Sequence, residues 1–166
     1  MPAQDLIRAL QLQPHPEGGY YRETYRAAQQ LLTADQQLRS VSTAIYYLLE
    51  NQDKSHFHRI QSDELWFFHQ GQPLEIVYLD GDEARRIQLG HDLTRGEVPQ
   101  VLIPAHTWFA AHIPAGTGFA LVSCTVAPGF DFADFELADR PALRAQYPQL
   151  AGLIELFTRE PDTTAG

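Results

Sequence analysis

The sequence predicts an all-β domain, a sandwich or barrel, with short helices at its two ends. Three observations carry this. The middle of the chain holds many short runs rich in β-branched and aromatic residues, separated at regular intervals by turn residues. Two of these runs, 20–26 and 41–49, alternate residue by residue, as a strand with one buried face must. Helical spacing of apolar residues occurs only near the termini.

The elements follow in order. Residues 3–11 read as a helix with Leu6, Ile7 and Leu10 on one face, ended by Pro14 and Pro16. Gly18-Gly19 marks a turn or a close approach of two backbones. In 20–26 one face carries Tyr20, Arg22, Thr24 and Arg26, the other Tyr21, Glu23 and Tyr25. Residues 27–38 lack a period and are expected to form a loop. In 41–49, Val41, Thr43, Ile45, Tyr47 and Leu49 share a face. Residues 74–79 and 85–89 form a hairpin about Asp80-Gly81-Asp82. Runs at 101–103, 108–113 and 119–126 complete the strands. Asp139 caps a helix with Pro141 in its first turn, Pro148 breaks it, and 150–158 continues with Leu150, Leu153, Ile154 and Phe157 on one face. Residues 160–166 are expected to fray.

At 166 residues the chain forms one domain large enough to bury a core. Its net charge of −9 and lack of a dense Lys/Arg cluster argue against nucleic acid and anionic membranes as partners. Cys124 is the only cysteine; it cannot form an internal disulfide, and its apolar surroundings predict a buried small residue. The first twelve residues lack the pattern of a signal peptide, and no apolar run is long enough for a membrane span. A soluble cytoplasmic protein is expected.

The chemistry concentrates in SHFHRIQSDELWFFHQG, residues 55–71. His56 and His58 are two apart, so on a strand both imidazoles point one way. Glu64 shares a face with Trp66 and Phe68 on the run that follows. Two adjacent antiparallel strands would bring two imidazoles and a carboxylate together. That set suits a divalent zinc, iron or manganese ion with open positions, or, without metal, an acid/base pair. Tyr20 and Arg22 on one strand face are candidate ligand-binding groups, and Trp66, Phe68 and Phe109 candidate apolar walls. Asp131, set among phenylalanines in 130–136, needs partners if buried, with Arg22 or Arg59 as candidates.

These segments carry a resemblance. The 55–71 stretch resembles the first motif of the cupin superfamily, in which a His-x-His pair precedes a Glu and a Gly; Glu64 and Gly71 have the family's separation, whereas His58 and Glu64 are one residue further apart than usual. PHPEGGYYRETYR, SHFHRIQSDELWFF, IPAHTWFAA and PGFDFADFELADR, in that order, resemble the DUF985 (cupin-5) group of RmlC-like jelly-roll proteins. The resemblance implies a double-stranded β-helix and, since cupins commonly pair, a homodimer. Metal-binding cupins carry a third imidazole in a second motif, Pro-x-Gly-x-x-His. The matching stretch here, Pro104 to Phe109, puts Phe109 in the His position and His106 in the Gly position. That departure favours a metal-free site.

The sequence therefore supports an interior pocket for a small polar metabolite, a carbohydrate among the candidates. The first reading is an acid/base enzyme of epimerase or isomerase type using His56, His58 and Glu64. The alternatives are a cupin that binds a ligand without turnover, and a metal-dependent oxygenase or isomerase with His56, His58 and Glu64 as ligands.

Overall fold

Alternation in the sequence becomes two facing antiparallel sheets in the computed structural model, which describes residues 1–161. In chain order the strands are β1 (Gln13–Pro14), β2 (Tyr20–Arg26), β3 (Gln30–Leu32), β4 (Leu38–Ser40), β5 (Thr43–Glu50), β6 (Lys54–Arg59) and β7 (Asp63–Gly71). They continue as β8 (Leu74–Asp80), β9 (Glu83–Leu89), β10 (Gln100–Ile103), β11 (Phe109–His112), β12 (Phe119–Ala127) and β13 (Glu136–Leu137). Helices α1 (Ala3–Ala9), α2 (Arg140–Gln146) and α3 (Ala151–Leu156) lie at the ends. The first sheet has the order β1-β2-β5-β12-β7-β10, the second β13-β6-β11-β8-β9. The expectation of fraying at 160–166 falls mostly on residues 162–166, outside the described residues.

On β5 and β7 the inward faces are those the alternation marks. Tyr47 and Leu49 of β5, Trp66 and Phe68 of β7, Phe109 and Ala111 of β11, and Val122 and Cys124 of β12 form the core between the sheets, with Ile45 packed against it. The opposite faces bury too, because helices cover them. Leu6 of α1 and Leu12 pack on Leu48 and Leu121 behind the first sheet. Leu143, Ile154 and Phe157 pack on Phe57, Val77 and Ala110 behind the second. Asp139 caps α2 by accepting from the Ala142 N–H at 3.0 Å, with Pro141 in the first turn, as composition demands.

Two expectations change. Residues 27–38, read as a loop, contain β3 and belong with β4 to a separate two-stranded hairpin closed by a turn over 33–37. Its paired Leu32 and Leu38 are exposed, so no buried face imprinted a pattern on the sequence. β6 and β7, expected to pair, instead lie in opposite sheets. The segment Ile60 to Ser62 crosses between them, so His58 and Glu64 meet across the sandwich rather than along one sheet.

Candidate functional site

Glu17 organises the site. It precedes Gly18-Gly19, whose φ angles of +111° and +74° bring the β1–β2 connection against β5 and β6. A β-carbon on Gly18 would lie 1.9 Å from the Lys54 carbonyl oxygen, so only glycine permits the approach. Every polar group of Glu17 is engaged. Its N–H donates to His15 Nδ1 at 3.1 Å. Its carbonyl accepts from the His56 N–H at 2.8 Å and from His56 Nδ1 at 2.7 Å. Its carboxylate Oε2 lies 2.7 Å from His58 Nε2. The Tyr47 hydroxyl holds the next carbonyl, that of Gly18.

These bonds set the tautomers. His58 Nδ1 lies 2.8 Å from the His56 carbonyl, which can only accept, so Nδ1 carries a proton. A second proton then sits between His58 Nε2 and Glu17. Burial opposes charge on both groups, but their mutual attraction outweighs it: the His58 imidazole is raised above its ordinary value and the Glu17 carboxyl is lowered below its own. The pair is imidazolium and carboxylate. His15 takes the other course. Its Nδ1 accepts a backbone proton, and burial lowers its pKa, so it is a neutral imidazole. His56 is lowered by burial as well.

The pair forms the floor of a cavity of about 320 Å³ between the sheets. Glu64 lines the same cavity, only 8% exposed, and its carboxyl makes no hydrogen bond of good geometry among the described residues. Burial, reinforced by the charge of Glu17, pushes its pKa up to about 7, against the pull of the His58 charge. The Cys124 thiol and the Trp66 indole N–H lie close enough to favour its charged form, though the indole finds no well-aligned acceptor. Cys124 is buried and pushed well up, as a packing residue is. The walls are Ile45, Ile60, Val126 and three phenylalanines, Phe130, Phe132 and Phe135.

The segment carrying those phenylalanines is held down from several sides. Asp131 caps the turn of Phe132–Asp134 through the Ala133 N–H at 2.8 Å. Asp134 takes two 2.8 Å bonds from the Arg39 guanidinium. Arg26, fixed by two 2.8 Å bonds to Glu23, donates a third to the Phe130 carbonyl at 3.0 Å. Asp131 lines the cavity, and its nearest guanidinium is Arg39 at 4.0 Å rather than Arg22 or Arg59.

The structure sorts the residues singled out in the sequence. His58, Glu64 and Asp131 line the cavity. His56 does not; its ring clamps the Glu17 backbone from the far side. Trp66 and Phe109 are buried in the core beneath the cavity, with the Phe109 ring 4.2 Å from that of His58. Phe68 packs further along β7, against His91. Tyr20 and Arg22 face outward, Tyr20 against the α1 cluster and Arg22 over the Tyr46 ring. The inner face of β2 is the other one, with Tyr21 and Glu23. Glu17, His15, Tyr21, Glu23 and Arg26 join the site without having been picked from the sequence. A signal was present: the dense PHPEGG phrase ahead of a double glycine.

The donor set does not fit a divalent ion. No group of three or more His, Cys, Asp or Glu side chains is arranged as metal ligands among the described residues. Both Nδ1 atoms of the His-x-His pair are committed to carbonyls, His58 Nε2 faces Glu17, and His56 lies outside the cavity. Phe109 offers a ring in place of a third imidazole.

Two antiparallel sheets closed around an ionisable interior pocket define a cupin jelly roll. The chain matches the family model described as cupin superfamily (DUF985) over residues 4–138, and it belongs to that family. Its relatives include an uncharacterised protein of Saccharomyces cerevisiae, 32% identical over an alignment of 146 positions that covers 79% of this chain and 72% of the yeast protein. A hypothetical protein from Leishmania major superposes with a TM-score of 0.91 at 36% identity, covering 96% of this chain and all of its own. A protein from Shewanella oneidensis superposes at 0.89 with 41% identity, covering 97% of this chain and 99% of its own. No helix among the described residues is long and apolar enough to cross a membrane.

Proposed function

We propose that this cupin is an acid/base enzyme that moves a proton on a small polar metabolite, with Glu64 as the transferring group and the His58–Glu17 pair as its electrostatic partner. One observation carries the reading: two carboxyls share one cavity while their surroundings push their pKa values apart. Glu17 is kept ionised and Glu64 is raised to about 7. Such a split separates a stabilising charge from a proton carrier that works near neutral pH. Beside the Glu64 carboxyl stand only weak partners, the Cys124 thiol and a poorly aligned Trp66 indole N–H, among the described residues. His58 carries a proton on each nitrogen and supports the chemistry by charge, since neither nitrogen has a lone pair for a substrate.

The reaction class is proton abstraction and return at a carbon next to a carbonyl or imine. Such a step needs no group beyond a carboxyl near neutrality and a positive charge to steady the developing anion. The test is solvent exchange. The protein is incubated with a library of small metabolites in heavy water, and deuterium incorporation at carbon is followed by mass spectrometry. Incorporation that vanishes in Glu64→Gln supports the reading; incorporation unchanged in that variant overturns it.

A second reading has its own observation. Both nitrogens of His58 are taken by protein groups, which suits a rigid binding floor as well as a catalytic one. In that case the cupin holds the same small ligand without turnover, and metabolites bind but do not exchange.

A further inference from the structure

We propose that the cavity selects an organic cation, an ammonium or amidinium group on a small apolar body. This rests on the reading of the cavity as a small-molecule site and narrows its ligand class.

Negative charge predominates on the cavity lining. Four carboxyls reach it, from Glu17, Glu23, Glu64 and Asp131, against two cationic side chains, Arg26 and His58. Both cations are committed. His58 faces Glu17 at 2.7 Å, and Arg26 is fixed by Glu23 through two 2.8 Å bonds. No lining cation among the described residues is left to meet a carboxylate or phosphate on a ligand. Arg159 influences His15 and His56 at longer range but does not line the cavity. Two carboxyls remain over. Asp131 stands at the rim; one of its oxygens accepts from the Ala133 N–H at 2.8 Å, and the other has only a 4.0 Å approach to an Arg39 that Asp134 already holds with two bonds. Glu64 lies inside, nine-tenths buried, with the uncharged Cys124 thiol and a poorly aligned Trp66 indole N–H beside it and no cation of its own among the described residues. A buried carboxyl without a charged partner is a group prepared to receive one.

The walls favour the same ligand. Phe130 and Phe132 have ring centroids 4.9 Å apart, and Phe135 stands 6.3 and 6.1 Å from them. The His15 ring lies 6.1 Å from Phe132 and 5.9 Å from Phe135. Aromatic faces carry negative potential and attract desolvated cations, most strongly when several surround one site. The chain's net charge of −9 adds a field that draws cations and repels anions.

The test uses three probes of one shape and different charge: benzamidine, benzamide and benzoate. Each is titrated into the whole protein at neutral pH, with affinity from calorimetry and location from NMR shifts of Glu64, Phe130 and Phe135. Benzamidine is expected to bind in the cavity at least tenfold more tightly than benzamide, and benzoate more weakly than both. Glu64→Gln should bring benzamidine down to the level of benzamide while leaving benzamide unchanged. Asp131→Asn, at a half-exposed position where Asn can still cap the turn, should weaken benzamidine by about threefold. Benzamide and benzamidine binding equally in the cavity overturns the choice of a cation and leaves the small-molecule pocket standing. Tighter binding of benzoate overturns it too. Silence from all three probes, in a protein that still exchanges deuterium into a metabolite, overturns this inference alone.

Discussion

Glu17 Oε2 and His58 Nε2 lie 2.7 Å apart with neither side chain more than 7% exposed, so this charge pair is hidden from water. Removing one member of such a pair leaves the other buried and uncompensated. Glu17→Ala is expected to cost about 3–5 kcal/mol of folding stability in urea unfolding. Glu17→Gln should cost less, because its amide N–H can donate to a neutral His58. In both variants the His58 pKa, followed by its imidazole proton resonances, should fall, since burial is then opposed only by the Glu64 charge and the His56 carbonyl. A His58 pKa unchanged by Glu17→Gln would contradict the pairing.

Glu64 makes a separate, opposite contribution to stability against pH. Its folded pKa of about 7 lies above the ordinary 4.5, so between those values the folded state holds a proton that the unfolded chain has lost. Stability from this group is therefore full below pH 4.5, declines as pH rises to about 7, and stays reduced above it. The rise corresponds to about 3 kcal/mol. Glu64→Gln removes it: the variant should match the parent near pH 4 and exceed it by up to about 3 kcal/mol at pH 8. The His58 contribution also declines as pH rises through its raised pKa, and that of Glu17 declines as pH falls through its lowered one. Both are present in parent and variant, so the difference reports Glu64 together with its coupling to that pair. A flat difference between pH 4 and pH 8 would show that Glu64 is not held protonated.

Much of this arrangement was legible in the residues, and the parts that were not have identifiable causes. The inward faces of β5 and β7 follow from alternation, because side chains on a strand point to opposite faces with a period of two. The Asp139 cap and the Asp80-Gly81-Asp82 hairpin follow from turn and cap chemistry. On β2 both faces meet other groups, with α1 on one side and the cavity on the other, so Arg22 and Glu23 look equally functional in sequence. Only the fold separates them. Glu17 is harder still. It sits in a connection without a period, and its importance comes from bonds to residues up to 41 positions away, at His58. His56 misled for a physical reason: two residues on one strand face share a direction, but the Glu17 backbone fills the space before the His56 ring.

The position of Phe109 bears on metal. Its ring lies 4.2 Å from that of His58, tilted against it, and is 1% exposed, so Phe109→His places a polar ring in an apolar site, at a cost of about 1–3 kcal/mol. If folded, the variant offers an imidazole beside His58 with the Glu17 carboxylate in reach. It is expected to bind zinc more tightly than the parent by calorimetric titration. The gain should vanish in Phe109→His/His58→Ala and persist in Phe109→His/His56→Ala, because the His56 ring is turned to the Glu17 backbone. Loss of the gain with His56→Ala would place His56 in the cavity. Stoichiometric tight metal in the parent, measured by elemental analysis after purification without a metal-affinity tag, would overturn the statement that the donor set does not fit.

Gly18 is where backbone geometry and the site meet most directly. Two penalties oppose any side chain there: a φ of +111°, outside the range L-residues adopt with ease, and a β-carbon 1.9 Å from the Lys54 carbonyl oxygen. The carbonyl is part of the β6 backbone and cannot swing aside as a side-chain tip can. Gly18→Ala must therefore move the connection, and with it the neighbouring Glu17, away from His56 and His58. Gly81 in the β8–β9 turn is the control. It also has a positive φ, +61°, but a β-carbon there would meet nothing within 4 Å. Gly81→Ala is expected to cost about 1–2 kcal/mol, the ordinary price of a left-handed residue, with benzamidine binding unchanged. Gly18→Ala should cost at least about 1 kcal/mol more, and where it remains folded it should weaken benzamidine binding at least fivefold. It should also return His58 toward or below its ordinary pKa. Equal costs for the two substitutions, with His58 unmoved, would mean that the β1–β2 connection does not hold Glu17 in place.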